Sequence, residues 1–240
     1  NNNNDNDNNN NKLPTQELIN LIKTDKNTSS QLSDEYLNKQ GFGTLRDLAL
    51  GINPLNLNHV RKVNKAESDF WKNSQGVRID DSTNILGFDC GGEQFVMEIC
   101  FPMGTLDDNN FKDLNFVKEL LQTVESKGIA APGPIEQRWT ARSTSPMSPA
   151  YSDNPSDIFC WVGIIMYMPL NQTPEQREII KQQFQNYCNE LSPLIKKYNG
   201  QLHWAKIELF LNDEIKQQIQ KKYPLQEYQQ LKTALDPEGF

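Results

Sequence analysis

Alternating apolar and polar positions predict β-strands in the second half of the chain. In the first of them every second residue is apolar, and successive side chains of a strand point to opposite faces, so Met97 and Ile99 share one face. A later run is rich in β-branched and aromatic residues, which is typical of a strand buried on both sides. The predicted strands are Gln94–Phe101, Pro134–Arg142, Ile158–Met168 and Leu202–Leu211.

Apolar residues spaced by three or four predict helices between these strands. One starts near Phe111 and stops at Gly128, a residue that readily takes a left-handed conformation. Another starts at Thr173, which can form a reciprocal capping box with Gln176, and Pro193 is expected to end or kink it. Shorter helices are predicted at Asn58–Trp71, at Asp213–Lys222 and up to Leu235. Because strands and helices mix without β-α-β regularity, the predicted class is α+β.

The start of the chain differs in composition from the rest. It lacks an initiator Met and is rich in Asn, which predicts a disordered segment and favours a piece of a longer protein. Leu13–Gln40 stays polar apart from one weak helical stripe. We therefore interpret residues 1–40 as a disordered segment and linker, and residues 41–240 as one ordered domain.

Charge and cysteine content exclude several classes of function. With 24 Lys and Arg against 31 Asp and Glu, the chain lacks the basic surface that nucleic acids and anionic membranes require. Its longest apolar run is well below the roughly 20 residues of a transmembrane helix. The 4 cysteines are far apart and only 2 histidines are present, so we expect neither a disulfide framework nor a zinc site. Unpaired cysteines also favour a reducing compartment inside the cell.

The segment Pro134–Arg142 carries the most suggestive chemistry. On an extended strand, Glu136, Arg138 and Arg142 share one face with a threonine. A carboxylate beside two guanidiniums suits a polyhydroxylated, partly anionic ligand, because Arg offers a planar fork of donors and Glu accepts hydroxyl protons. An exposed sheet face with ordinary Glu–Arg pairs remains the alternative.

Two further positions are candidates. On a regular strand Lys206 would share a face with Trp204 and Glu208, and His203 would point the other way. A lysine there either extends to solvent or provides a fixed positive charge for a ligand. Cys90 precedes two glycines that permit a tight turn, and a structural cysteine is the alternative to a functional one.

Taken together, these motifs resemble the C-terminal half of the L-galactono-1,4-lactone dehydrogenases. These belong to the sugar-lactone oxidoreductases of the vanillyl-alcohol-oxidase superfamily. The resemblance spans residues 41–240 in the same order, and it is carried by Asn53–Leu55, His59–Glu67, Phe70–Lys72, Phe88–Gln94, Pro134–Ser143, Ser145–Ala150, Trp161–Tyr167, His203–Glu208 and Leu235–Pro237. It implies a cap domain, a large antiparallel sheet flanked by helices, which supplies the substrate pocket over a flavin.

The resemblance also implies roles for individual residues. Glu136 and Arg138 match a Glu-x-Arg pair that binds substrate hydroxyls and takes part in catalysis. Lys206 matches a lysine near flavin N1, where a cation favours the anionic reduced ring, and His203 is expected to support that edge. Cys90 matches a cysteine linked to substrate binding and oxidative sensitivity.

The activity implied is FAD-dependent oxidation of an aldonolactone, L-galactono-1,4-lactone, to ascorbate, with cytochrome c as electron acceptor. The expected location is the mitochondrion, at the inner membrane. Since no counterpart of the N-terminal FAD-binding domain is present, we expect no catalysis from this chain alone. A D-arabinono- or L-gulono-1,4-lactone oxidase is the close alternative. A non-catalytic assembly factor for respiratory complex I is the alternative from another class.

Overall fold

The described part of the protein is an α+β structure. The computed structural model describes residues 14–77, 79–86, 92–108, 110–170, 172–206 and 213–239. Within these ranges it contains 10 α-helices and a 4-stranded sheet. The predicted α+β class is confirmed.

The helices and strands alternate irregularly along the chain. The strands are β1 (Gln94–Thr105), β2 (Glu136–Ala141), β3 (Asp157–Tyr167) and β4 (Gln201–Leu202). The helices are α1 (Gln16–Thr24), α2 (Lys26–Gln31), α3 (Asp34–Asn38), α4 (Phe42–Ile52), α5 (Leu57–Asn73), α6 (Ser82–Leu86), α7 (Lys112–Lys127), α8 (Pro174–Lys197), α9 (Asp213–Lys222) and α10 (Leu225–Leu235), with a 3-10 helix at Trp204–Lys206.

The chain divides into two compact units. The first contains Asn1–Glu93 and Tyr167–Arg177, as far as these stretches are described, and the second contains the described parts of Gln94–Met166 and Glu178–Phe240. This division places a boundary at the start of β1, inside the range 41–240 that the sequence predicted as one domain.

The first unit is helical and begins earlier than the sequence indicated. Residues 14–40 were predicted as a linker with one marginal helix, but they hold α1, α2 and α3, and α1 packs against α4 and α5. The helices form because their apolar residues find partners there. The fully buried side chains of this unit include Leu18, Ile19, Ile22, Leu37, Leu45 and Val60.

The second unit contains the sheet, with strand order β2-β3-β1-β4. Helices cover one of its faces: Phe101 of β1 stacks on Phe116 of α7 with ring centroids 4.6 Å apart, and Phe95 stacks on Phe184 of α8 at 5.9 Å. Because side chains alternate along β1, the even-numbered residues between these phenylalanines, Glu98 among them, project from the opposite face. That face is where the polar side chains of the sheet collect.

Helix ends follow the predicted chemistry, with one exception. Gly128 ends α7 in the left-handed conformation, with φ of 62°. At the start of α8, Thr173 Oγ1 accepts from Gln176 N–H (3.3 Å) and Gln176 Oε1 accepts from Thr173 N–H (2.8 Å). Of the two outcomes predicted for Pro193, an end or a kink, the end does not occur: α8 continues to Lys197 and buries apolar residues on both sides of the proline.

Within the described ranges, no helix is both long and apolar enough to cross a membrane.

Candidate functional site

Strand β2 presents Glu136 and Arg138 on the sheet face opposite the helices. β2 pairs antiparallel with β3, so that Glu136 lies opposite Gly163 and Arg138 opposite Trp161. The Glu136 side chain packs over Gly163, since a Cβ built on that glycine would lie 3.6 Å from Glu136 Oε2, an ordinary van der Waals distance. Glu136 and Arg138 form an ion pair at 3.7 Å, and their side chains are 49% and 51% exposed. Both groups are therefore accessible to a ligand.

A buried carboxylate, Glu98 of β1, connects the cationic residues of this face. Its side chain is only 1% exposed. Arg138 Nη2 donates to one carboxylate oxygen of Glu98, and Lys206 Nζ donates to the other. Glu98 therefore holds a residue from β2 and a residue from the 3-10 helix at a common point.

His203 is held next to Glu98 by a backbone hydrogen bond, and its ring is oriented by a second one. Its N–H donates to the carbonyl of Glu98 at 2.9 Å, and Lys206 N–H donates to the His203 carbonyl at 3.0 Å. The ring Nδ1 accepts from Ala205 N–H at 3.2 Å, which makes Nε2 the protonated nitrogen of the neutral imidazole. The ring also meets Trp161 edge-on at 5.8 Å. The site thus offers one N–H donor from His203.

Charge and burial fix the protonation states of the cluster. Burial alone would raise the pKa of Glu98, but the hydrogen bonds and charges of Lys206 and Arg138 outweigh it and lower that pKa. The hydrogen bond to Glu98 raises the pKa of Arg138 in return. Burial and the neighbouring cations lower the pKa of His203. At neutral pH Glu98 is therefore a carboxylate, Arg138 a cation and His203 a neutral imidazole.

A tryptophan and a hydroxyl extend the site along β2 and β3. Trp161 Nε1 donates to Thr140 Oγ1 at 3.0 Å, which fixes the indole across the exposed strand. Thr140 shares the face of Glu136 and Arg138, as the sequence predicted. A half-buried aromatic beside hydroxyl-binding polar groups is an arrangement that suits a sugar-like ring.

The structure brings together four of the predicted site residues: Glu136, Arg138, His203 and Lys206. Their assigned roles stay predictions. Cys90 lies outside the described residues.

Two expectations about this region were wrong: that a regular strand continues from Leu202 through Lys206, and that Lys206 and Trp204 share a face of it. Strand β4 ends at Leu202, and the chain then forms a 3-10 helix at Trp204–Lys206, so these two side chains point in different directions. Lys206 reaches Glu98, whereas Trp204 Nε1 donates to the Met147 carbonyl at 2.6 Å. The rest of the predicted strand, residues 207–211, lies outside the described residues.

Arg142 does not join the site, although the sequence placed it on the same face. β2 ends at Ala141, and the Arg142 guanidinium donates to the Ser152 carbonyl at 3.0 Å. The residue that sequence reasoning missed is Glu98. Its signal was a charge inside an otherwise apolar strand, on the face opposite Met97 and Ile99.

The chemistry of the site residues suits a flavin edge. Lys206 is a partly exposed ammonium held on the open face, which fits a group that becomes anionic on reduction, and His203 adds a neutral N–H donor beside it. Among the described residues, no group of three His, Cys, Asp or Glu side chains could hold a metal ion.

Comparison with known proteins gives a consistent family assignment. The family model described as D-arabinono-1,4-lactone oxidase matches residues 6–240. L-galactono-1,4-lactone dehydrogenase 1, mitochondrial, of Oryza sativa subsp. japonica is 44% identical over 214 residues, which cover 88% of this chain and 37% of that protein. The mitochondrial L-galactono-1,4-lactone dehydrogenase of Arabidopsis thaliana is 46% identical over 214 residues, which cover 87% of this chain and 35% of that protein. The chain thus spans little more than a third of the length of these relatives.

Proposed function

Because the chain belongs to the D-arabinono-1,4-lactone oxidase family, we propose that it supplies the substrate-binding part of an FAD-dependent aldonolactone oxidoreductase. The observation that carries this proposal is the accessible pair of Glu136 and Arg138, fixed beside Lys206 on the sheet face opposite α7 and α8. The proposed substrate is L-galactono-1,4-lactone, and the product is ascorbate.

Glu136 and Arg138 have separate tasks in this reaction. Glu136 is a carboxylate within reach of solvent, so it can accept the proton of a lactone hydroxyl as that hydroxyl is oxidised. Arg138 can donate to the same oxygen and stabilise the negative charge that builds there. Arg138 stays protonated throughout, because the bond from its guanidinium to Glu98 raises its pKa. The proton-accepting role therefore falls to Glu136.

Lys206 and His203 are the residues that would hold the flavin edge. FAD, when bound, accepts the two electrons and the hydrogen removed from the lactone. Lys206 contributes a positive charge there, and the His203 Nε2–H contributes a hydrogen-bond donor. The FAD-binding domain is proposed to lie outside this chain, in the length of the relatives that the chain does not cover.

The names of the relatives support a location and an electron acceptor. All of the curated relatives compared are called mitochondrial, so we place this protein in the mitochondrion as well. Their designation as dehydrogenases favours an acceptor other than dioxygen, and cytochrome c is our candidate. Cell fractionation checks the location, and parallel assays with cytochrome c and with dioxygen check the acceptor.

Substitutions in the full-length, flavin-loaded protein test the site. We expect Glu136→Gln and Arg138→Gln each to lower kcat/KM for L-galactono-1,4-lactone by about a hundredfold or more, because each removes a group that acts on the reacting oxygen. Flavin absorbance should stay at the wild-type level in both. The matched control is Arg142→Gln, which removes a guanidinium of the same segment that donates to the Ser152 carbonyl and does not join the site.

The control should keep near-normal turnover. Near-normal turnover in Glu136→Gln and Arg138→Gln would contradict the proposal. Assays with L-galactono-, L-gulono- and D-arabinono-1,4-lactone side by side then distinguish the dehydrogenase from the related oxidases.

A further inference from the structure

Glu98 is the residue of the site for which the proposed chemistry has no task. It is nearly fully buried, so it cannot receive a proton from a ligand on the open face. Yet both of its oxygens accept hydrogen bonds from cations, one from Arg138 and one from Lys206. Desolvating a buried charge costs free energy that its charged partners often do no more than repay, so stability alone does not account for Glu98.

The first consequence of Glu98 is positional. Arg138 and Lys206 are long, flexible side chains on different elements, and each would lose its preferred direction without a fixed acceptor. One carboxylate binding both of them sets the guanidinium and the ammonium at a defined separation. The donors of Arg138 that Glu98 does not use are thereby aimed along β2, towards Glu136, whose Oε1 lies 3.7 Å from Arg138 Nε.

The second consequence is electrostatic. Without Glu98, two cations would face the ligand with Glu136 as the one carboxylate of the cluster, and a carboxylate ligand would be attracted to them. With Glu98 the formal charges of the described cluster residues sum to zero, since Glu98 and Glu136 balance Arg138 and Lys206, and His203 is uncharged at neutral pH. A neutral site favours a neutral polyhydroxylated ring over an anion of the same size.

We propose that Glu98 is a positioning and specificity-determining residue that makes the site select the neutral lactone against its ring-opened aldonate. This inference rests on the proposed function, because a lactone and its hydrolysis product differ in one negative charge. Glu98 acts through Arg138 and Lys206 and does not itself touch the ligand.

Binding of the aldonate gives a test that needs no turnover. In the full-length, flavin-loaded protein, Glu98→Gln should tighten the calorimetric Kd of L-galactonate by about tenfold, because it removes one negative charge near the site. The same variant should lower kcat/KM for the lactone by about a hundredfold, because Arg138 and Lys206 lose their common acceptor. A general loss of structure cannot tighten binding of an anion.

The matched control is Glu119→Gln, on the helix-covered side of the same unit. Glu119 also has two partners, accepting from Lys197 Nζ at 2.7 Å and from Tyr198 Oη at 2.8 Å. This variant should leave both the aldonate Kd and the lactone kcat/KM unchanged. An aldonate Kd in Glu98→Gln equal to that of the wild type overturns the inference.

A second variant keeps the test decisive if Glu98→Gln does not fold. Glu98→Asp keeps the charge but withdraws the carboxylate by one methylene, so the aldonate Kd should stay within about twofold of wild type. Its lactone kcat/KM should fall by about tenfold because the two cations are less well held. Wild-type turnover in Glu98→Asp overturns the positioning role.

Failure of the proposed function looks different. In that case the wild-type protein itself does not oxidise the lactone. Failure of this inference shows as lactone oxidation by the wild type together with unchanged aldonate binding in Glu98→Gln.

Discussion

Each of the two compact units buries a glutamate, and the two carboxylates behave in opposite ways. Glu67 of α5 in the helical unit is 6% exposed, and Glu98 of β1 in the sheet unit is 1% exposed. Burial raises the pKa of Glu67 above its usual value. The pKa of Glu98 is lowered, although burial by itself would raise it. Burial therefore does not decide the charge of a buried acid.

The difference lies in what each carboxylate is bonded to. Glu67 has Arg46 Nη1 at 3.8 Å and accepts from Trp71 Nε1 at 3.5 Å, both long contacts, and its Oε2 has no hydrogen-bond partner. Glu98 has one cation directly on each oxygen. Direct hydrogen bonds from cations offset the desolvation of a carboxylate, and a distant guanidinium does so incompletely.

The guanidinium of Arg46 is also engaged elsewhere. It stacks over the Tyr167 ring with its carbon 3.9 Å from the centroid, and it lies 5.6 Å from the Phe42 ring. An arginine that stacks on aromatic rings and also lies near a carboxylate stabilises the fold through packing as well as through its charge. This unit uses its buried ions to fill a core, whereas the sheet unit uses them to present cations on an open face.

Neutralising each carboxylate is the largest test of this comparison. Glu98→Gln should lower the free energy of unfolding by about 2 to 3 kcal/mol at neutral pH, because it breaks two charge-assisted hydrogen bonds and leaves two cations with no common acceptor. Glu67→Gln should cost less than about 1 kcal/mol, because the amide loses little from long contacts and relieves the desolvation of the charge. Urea denaturation followed by circular dichroism measures both, and equal losses would break the comparison.

The pH dependence of stability gives a second test with opposite signs. The usual pKa of a glutamate is 4.5, and that of Glu98 is lowered. Its contribution to stability is therefore present above pH 4.5 and is lost as the pH falls through the native pKa. Glu67 has a raised pKa, so its carboxyl favours folding at low pH and loses that advantage as the pH rises from 4.5 through its native pKa.

Replacing either glutamate by glutamine should remove that residue's contribution to the pH dependence of the free energy of unfolding. Glu98→Gln should flatten the loss of stability on acidification below pH 4.5, and Glu67→Gln should flatten the loss on raising the pH above 4.5. Denaturation midpoints measured at closely spaced pH values in both variants check this. A flattening on the same side in both variants would contradict the opposite pKa directions.

Much of the sheet unit could be predicted from the sequence. Period-two alternation placed β1, and a run of β-branched and aromatic residues placed β3, near their observed bounds. Alternation along the predicted strand Pro134–Arg142, which contains β2, put Glu136 and Arg138 on one face. These predictions succeed because the pattern is local and one face of the sheet is buried. The capping box at Thr173 and the glycine stop at Gly128 are local in the same way.

The parts that could not be predicted depend on contacts distant in sequence. Glu98 meets Arg138 and Lys206, which follow it far along the chain, and nothing in the strand pattern shows that both converge on it. The turn at Trp204–Lys206 replaces a predicted strand because Lys206 is held by Glu98 and Trp204 by the Met147 carbonyl. The helices in residues 14–40 form through packing that their polar composition does not reveal.

A smaller effect is expected from the stacking of Arg46. Arg46→Lys keeps the positive charge but loses the planar group over Tyr167, so the free energy of unfolding should fall by about 1 kcal/mol. The control is Arg177→Lys, at a partly exposed arginine that donates to Glu93 at 2.6 Å, where a loss of less than about 0.5 kcal/mol in the free energy of unfolding is expected. Thermal and urea denaturation both report the difference, and a larger loss at Arg177 would show that stacking contributes little.

The smallest change in the free energy of unfolding should come from substitution of Glu119. This residue tests whether the number of hydrogen-bond donors or the burial of a carboxylate sets its contribution to stability. Glu119 resembles Glu98 in having two donors, Lys197 Nζ and Tyr198 Oη, which lower its pKa. It differs in being open to solvent, with a side chain 32% exposed. Water competes for both donors there, so Glu119→Gln should lower the free energy of unfolding by less than about 1 kcal/mol, and added salt should shrink that loss further. Urea denaturation at low and high salt, with Lys197→Met as the control that removes the cation, measures it. A loss as large as that of Glu98→Gln would mean that partner number alone sets the contribution of a carboxylate, whether or not it is buried.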